Sequence, residues 1–148
     1  VLPLMAVESI ALAGLVGLVF RTATAALLHG FALSSPSGLD VPTQLMISLG
    51  AGIYEELLFR VVLVGGLVWI AKKALRWSDR AASITAVVVS ALLFSAFHYI
   101  GAYGEALQLS SFVFRFLAGL LFSTLYVLRG FGITAWTHAW YDVMVTLA

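Results

Sequence analysis

The chain has 148 residues, of which 62% are hydrophobic and 10% are charged, whereas soluble domains carry about 25% charged residues. The lipid bilayer is therefore the expected solvent, and the net charge of +1, with basic residues at segment ends and no basic stripe, argues against nucleic-acid binding. The absence of cysteine excludes disulfides, thiolate nucleophiles and cysteine-type zinc sites.

Five apolar segments follow one another, at lengths that suit spanning helices of about 20 residues. The first runs from Leu2 to about Phe20 and resumes after Arg21 as far as Leu33. It is either one long tilted helix or a span followed by a short re-entrant piece. The Ser-, Pro- and Gly-rich segment 34–42 is a predicted loop, and Thr43 is the predicted N-cap of the next helix.

The second apolar segment extends from Thr43 to Ala71 and stops at the basic segment 72–80, which we expect outside the hydrocarbon. The remaining segments cover about 81–99, 112–128 and 133–147, with a very short hairpin between the last two. None shows period-two alternation, so barrel strands are excluded. The predicted fold is all-α, a polytopic transmembrane bundle of five to six helices. We expect one domain over residues 1–148 that belongs to a longer chain.

Two acidic residues lie in the middle of the second segment, where a charge costs about 2.5 to 3.5 kcal/mol on insertion scales. Arg60 follows Glu56 by four residues, which places the two side chains on one helix face and predicts a structural ion pair. Glu55 points about 100° away from Glu56 and has no cationic partner nearby in sequence. Glu55 is therefore the carboxylate that is not engaged in an ion pair and is more available for reaction.

Two other segments also carry ionisable groups: His98 in the third, and His138 with Asp142 in the fifth. Glu55 lies about 25 Å along its helix from Lys72, and His98 about 27 Å from Arg80, so their depths agree. Because lipid offers no hydrogen-bond partner, we expect these groups to meet inside the bundle. His98, His138 and Glu55 would also supply a two-histidine, one-carboxylate zinc site, although there is no H-E-x-x-H motif.

Other polar and small residues receive structural interpretations. We assign the charged residues at loops and segment ends to the membrane interface, namely Arg21, Asp40, Glu105, Arg115 and Arg129. His29 is interpreted as a hydrogen-bonded structural residue. Five glycines are expected to allow close helix contacts, namely Gly50, Gly52, Gly65, Gly66 and Gly119.

Three short motifs carry a resemblance to a known family. EELLFR at 55–60 fits E-E-x-x-x-R, FSAFH at 94–98 fits F-x-x-x-H, and HAWYD at 138–142 fits H-x-x-x-N/D. In this order on successive membrane helices, they resemble the type II CAAX prenyl endopeptidases and their prokaryotic relatives. Those relatives are the CAAX protease and bacteriocin-processing or abortive-infection family, including lysostaphin-resistance-like proteins. Each motif alone is weak, whereas the ordered set is specific.

The resemblance implies an intramembrane endopeptidase that cuts peptide bonds near a lipid-modified or membrane-embedded end of its substrate. Glu55 matches the carboxylate that activates water with help from His98, and His138 and Asp142 match the pair that holds the oxyanion. Glu56 and Arg60 would support them. Asp142 departs from the Asn of the eukaryotic enzymes, so it acts as a neutral acid, as an orienter of His138 or as a metal ligand. No cofactor is implied unless the mechanism uses zinc.

Two other classes of function compete with a peptidase. A non-enzymatic bacteriocin-immunity or scaffolding protein could keep the same fold, and a proton- or ion-coupled transporter also uses intramembrane acids and histidines. In every case we expect a multi-pass protein of the plasma or inner membrane in a prokaryote, or of the endoplasmic reticulum in a eukaryote. The expected partners are membrane lipid and, for a peptidase, a peptide or protein substrate. The positive-inside rule and the family resemblance favour opposite orientations.

Overall fold

The computed structural model of the protein describes residues 2–27, 40–101 and 106–147. It contains six α-helices and one π-helix: α1 (Leu2–Leu27), α2 (Val41–Glu56), π1 (Leu57–Val64), α3 (Gly65–Lys73), α4 (Asp79–Phe97), α5 (Leu109–Arg129) and α6 (Phe131–Leu147). Because α2, π1 and α3 follow one another without a break, the described residues form five helical rods and no strand. This confirms the predicted all-helical bundle.

Among the described residues, three helices are long and apolar enough to cross a membrane: Leu2–Thr22 within α1, and the whole of α4 and α5. The outer faces of the bundle carry many large apolar side chains, and Leu4 and Leu109, for example, are 76% and 79% exposed. A bilayer accommodates such surfaces at no cost, whereas water does not. The chain is an integral membrane protein.

The first rod agrees with one of the two predicted alternatives, a single long helix, and the second rod begins earlier than predicted. Arg21 does not interrupt α1, which continues as one helix to Leu27. The N-cap of α2 is Asp40 and not Thr43, because Pro42 fits the first turn of a helix and lets the helix begin before the threonine. The Thr43 hydroxyl donates a hydrogen bond back to the Asp40 carboxylate. The rest of the predicted 34–42 loop, His29 and Glu105 lie outside the described residues.

The α5–α6 connection is a one-residue turn. Gly130 adopts a φ of 81°, a left-handed conformation that costs glycine little and other residues more. Arg129, at the end of α5, donates two hydrogen bonds to the Glu8 carboxylate of α1 at 2.7 and 2.6 Å. This exposed ion pair ties α1 to the hairpin on the same side of the bundle as the 72–80 loop.

Two of the five selected glycines mark close contacts between helix backbones. A Cβ placed on Gly52 of α2 would lie 3.0 Å from the backbone of Ala139 in α6, and one placed on Gly119 of α5 would lie 2.9 Å from Ala91 in α4. The other three, Gly50, Gly65 and Gly66, have open space or ordinary contacts, so close packing was the wrong interpretation there. The two tight contacts bring α2 against α6 and α4 against α5.

Candidate active site

A buried ion pair lies at the junction of α2 and π1. The Nε atom of Arg60 is 2.9 Å from Oε2 of Glu56, and both side chains are completely buried. The guanidinium also lies over the rings of Phe94 and Phe122, at 4.8 and 5.9 Å from their centroids. The predicted pair therefore forms, and aromatic faces from α4 and α5 enclose its cation.

The second oxygen of Glu56 binds a histidine from another helix. His138 Nδ1 donates to Glu56 Oε1 at 2.8 Å, and the imidazole stacks on Phe122 with ring centroids 4.4 Å apart. A carboxylate that is paired with arginine can only accept, so Nδ1 carries the proton. The sequence did not indicate this contact, because it joins residues 82 positions apart. Glu56 thus fixes the orientation of His138.

The other nitrogen of His138 faces Asp142. Nε2 is 3.6 Å from Oδ2 of Asp142, one helical turn further along α6. This separation exceeds that of a normal hydrogen bond, so the two groups are neighbours without a fixed bond. Asp142 is half-buried, whereas His138 is almost fully buried.

Glu55 and His98 form a second acid–histidine pair, from α2 and the end of α4. Glu55 Oε1 lies 4.0 Å from His98 Nε2, and the two side chains are 25% and 24% exposed. His98 Nδ1 donates to the backbone oxygen of Phe94 at 2.9 Å. Since a carbonyl oxygen can only accept, Nδ1 carries the proton, and the Nε2 lone pair of a neutral His98 faces Glu55.

One cavity of about 200 Å³ brings these groups together. Glu55, His98, His138 and Asp142 line it, while Glu56 and Arg60 lie buried behind His138. The rest of the wall is mainly aromatic and comes from α1, α4, α5 and α6: Phe20, Phe94, Phe114, Phe122 and Tyr141. The cavity lies towards the end of the bundle where α4 and α6 end and α5 begins.

Arg115 was assigned to the interface from sequence, and that interpretation was incomplete. It is half-buried in α5, lines the cavity and donates hydrogen bonds to the hydroxyls of Tyr99 and Ser111. The signal in the sequence was the spacing of Ser111 and Arg115, which places both on one face of α5. Tyr141 was also missed, although it directly precedes Asp142.

The three residues of the zinc alternative, His98, His138 and Glu55, all line the cavity. In the part of the chain that the structure describes, however, no group of three or more His, Asp or Glu side chains is placed to hold a metal ion. Both Nδ1 atoms are engaged by protein oxygens, so only the Nε2 atoms are directed for coordination.

These features define a polytopic helical membrane protein with a polar site enclosed in its bundle. The family model for the type II CAAX prenyl endopeptidase, Rce1-like, matches residues 37–144, and the chain belongs to this family. All six candidate residues lie within the matched segment. No curated protein and no solved structure matches the chain. Membership supports a peptidase, and nothing in the comparisons supports bacteriocin immunity.

Proposed function

We propose that the protein is an intramembrane endopeptidase that hydrolyses a peptide bond near a lipid-modified or membrane-embedded end of its substrate. The proposal rests mainly on the Glu55–His98 pair. Its two side chains are 4.0 Å apart and face a cavity inside an apolar bundle. The match to a family of prenyl endopeptidases supports the same chemistry.

The proposed first step is activation of water by Glu55 and His98. Both Glu55 Oε1 and His98 Nε2 are acceptors, so one water molecule donates a hydrogen bond to each and directs an oxygen lone pair at the substrate carbonyl. Glu55 takes one proton as the water oxygen bonds to the carbonyl carbon. That proton is then delivered to the amide nitrogen as the carbon–nitrogen bond breaks, which leaves a carboxylic acid and an amine.

The second half of the proposed site stabilises the oxyanion that forms on the substrate. His138 is held by Glu56, so its Nε2 faces the cavity and donates to the oxyanion when protonated. Asp142, 3.6 Å away, either donates as a neutral acid or balances the charge of a protonated His138. Removal of one such donor typically costs about 100- to 1,000-fold in rate.

The cavity walls support an apolar substrate segment. Aromatic side chains surround the polar groups, and such walls favour aliphatic residues or a lipid group close to the cleaved bond. The experiment compares a prenylated peptide that ends in a CAAX sequence with the same peptide lacking the prenyl group, using the purified chain in lipid nanodiscs. Mass spectrometry of the products should show one cleavage site and faster turnover of the prenylated peptide.

Cleavage of neither peptide by folded protein would contradict the proposal and favour a binding role. A zinc-dependent reaction is the second mechanism, with His98, His138 and Glu55 as ligands. The proposed glutamate mechanism predicts full activity after dialysis against a strong chelator and no stoichiometric zinc by elemental analysis. Loss of activity in chelator with recovery on adding zinc would replace it with the zinc mechanism.

A further inference from the structure

A second cavity lies between α3 and α4, at the opposite end of the bundle from the candidate active site. It has a volume of about 120 Å³, and its lining surface is entirely apolar. Ile70 of α3, Trp77 of the connecting loop and Thr85 and Val89 of α4 contribute to the wall. Neither the family motifs nor the proposed reaction uses this cavity, which we call the α3–α4 crevice.

The loop beside the α3–α4 crevice is the most basic part of the chain. Lys72 pairs with Asp79 at 2.8 Å, whereas Lys73, Arg76 and Arg80 are exposed and have no acidic partner among the described residues. Each of these three is close in sequence to a residue that lines the crevice. Three positive charges without an acidic partner therefore lie within two residues, in sequence, of the wall of an apolar cavity, at its loop end.

The backbone conformation of the loop that joins α3 and α4 positions Trp77 at the crevice. Arg76 adopts a φ of 56°, which reverses the chain after α3, and the Trp77 backbone N–H then donates to the Ala71 carbonyl at 3.0 Å. The indole of Trp77 thereby reaches the crevice wall while remaining 42% exposed. Tryptophan is enriched at the headgroup level of membranes, and together with the exposed basic residues it favours a position of the crevice mouth at the membrane–water boundary.

We propose that the α3–α4 crevice binds a segment of one acyl chain of an anionic phospholipid, with the headgroup phosphate held by Lys73, Arg76 and Arg80. An apolar cavity at this depth in a bilayer is next to acyl chains, and the positive mouth selects a lipid with net negative charge. Basic side chains near an anionic membrane surface strengthen binding by about fivefold each. The site is separate from the proposed peptidase reaction and does not depend on it.

The test measures lipid binding to the detergent-solubilised chain by native mass spectrometry, with phosphatidylglycerol or phosphatidylcholine added at graded concentrations. One phosphatidylglycerol should bind in preference to phosphatidylcholine. Arg80→Gln should weaken that first binding step by about fivefold. Arg21→Gln, which removes an exposed positive charge from α1, is the matched control and should leave it unchanged.

A second pair of variants tests the crevice itself. Thr85→Phe fills the crevice from its exposed side, whereas Ile84→Phe places the same ring on an exposed neighbouring position outside the lining. Only Thr85→Phe should abolish the preferred binding step. Equal binding of the two lipids, an equal effect of the two arginine variants or normal binding by Thr85→Phe would each overturn the proposal.

Discussion

Glu55 and Glu56 are adjacent and chemically identical, yet the structure gives them different surroundings. Glu56 is completely buried between Arg60 and His138, whereas Glu55 is partly exposed in the cavity wall near His98. Sequence spacing predicted the Glu56–Arg60 pair because both residues lie on one helix. It could not predict the Glu56–His138 bond, because that contact depends on how α2 and α6 pack.

We expect Arg60→Ala to lower the stability and folded yield of the bundle. The substitution leaves Glu56 buried without its cation, at a cost of about 3 to 5 kcal/mol for a broken buried pair. Glu55→Gln, which changes a partly exposed group, should unfold at the wild-type temperature. Thermal unfolding in matched detergent compares the two. If Arg60→Ala were as stable as the wild type, the ion pair would have no structural role.

Asp142→Asn separates the roles that the 3.6 Å contact with His138 leaves open. If Asp142 donates to the oxyanion as a neutral acid, the amide also donates and needs no proton, so the variant retains most activity. Ionisation of Asp142 at higher pH would remove the donor from the wild type alone, so the variant should remain active to higher pH. The measurement is the pH profile of cleavage. Near-complete loss at every pH, with the fold intact, would contradict the neutral-donor role.

The sequence predicted every helical rod but not the π-helix inside the second one. Apolar segment length specifies where a helix fits in a bilayer, whereas the wider turn of π1 is a matter of local packing. Ser90 of α4 donates to the Phe59 carbonyl within π1 at 2.9 Å, and this contact helps to hold the segment against α4. The interpretation of Arg115 was incomplete for a similar reason, since its position near the start of α5 does not reveal the cavity beside it.

The contact between α2 and α6 predicts different effects of alanine substitution at two nearby glycines. Gly52→Ala places a methyl group 3.0 Å from the Ala139 backbone and should destabilise the bundle by about 1 to 3 kcal/mol through overpacking. Gly50→Ala meets open space, so only helix propensity acts, and stability should stay equal or rise by up to about 1 kcal/mol. Thermal unfolding of both variants in one detergent checks this. Equal effects would show that the α2–α6 contact is not close.

Because α4 is long enough to span the membrane, it places the basic loop 72–80 and the turn after His98 on opposite sides. Because the chain contains no cysteine, one introduced cysteine is its only thiol. Arg76→Cys and Ile100→Cys occupy exposed positions at the two ends and should react with a membrane-impermeant thiol reagent from opposite sides of sealed vesicles. Labelling of both from one side would contradict the topology.

In the proposed reaction Glu55, together with His98, activates the water that cleaves the substrate. The most direct measurement is the turnover number of Glu55→Gln with a prenylated CAAX peptide, alongside Asp79→Asn, which removes an exposed acid at the other end of the bundle. Loss of a general base predicts a decrease of about 100- to 10,000-fold for Glu55→Gln with wild-type thermal stability, and no change for Asp79→Asn. Turnover of Glu55→Gln within a few-fold of the wild type would contradict the role of Glu55 as the general base.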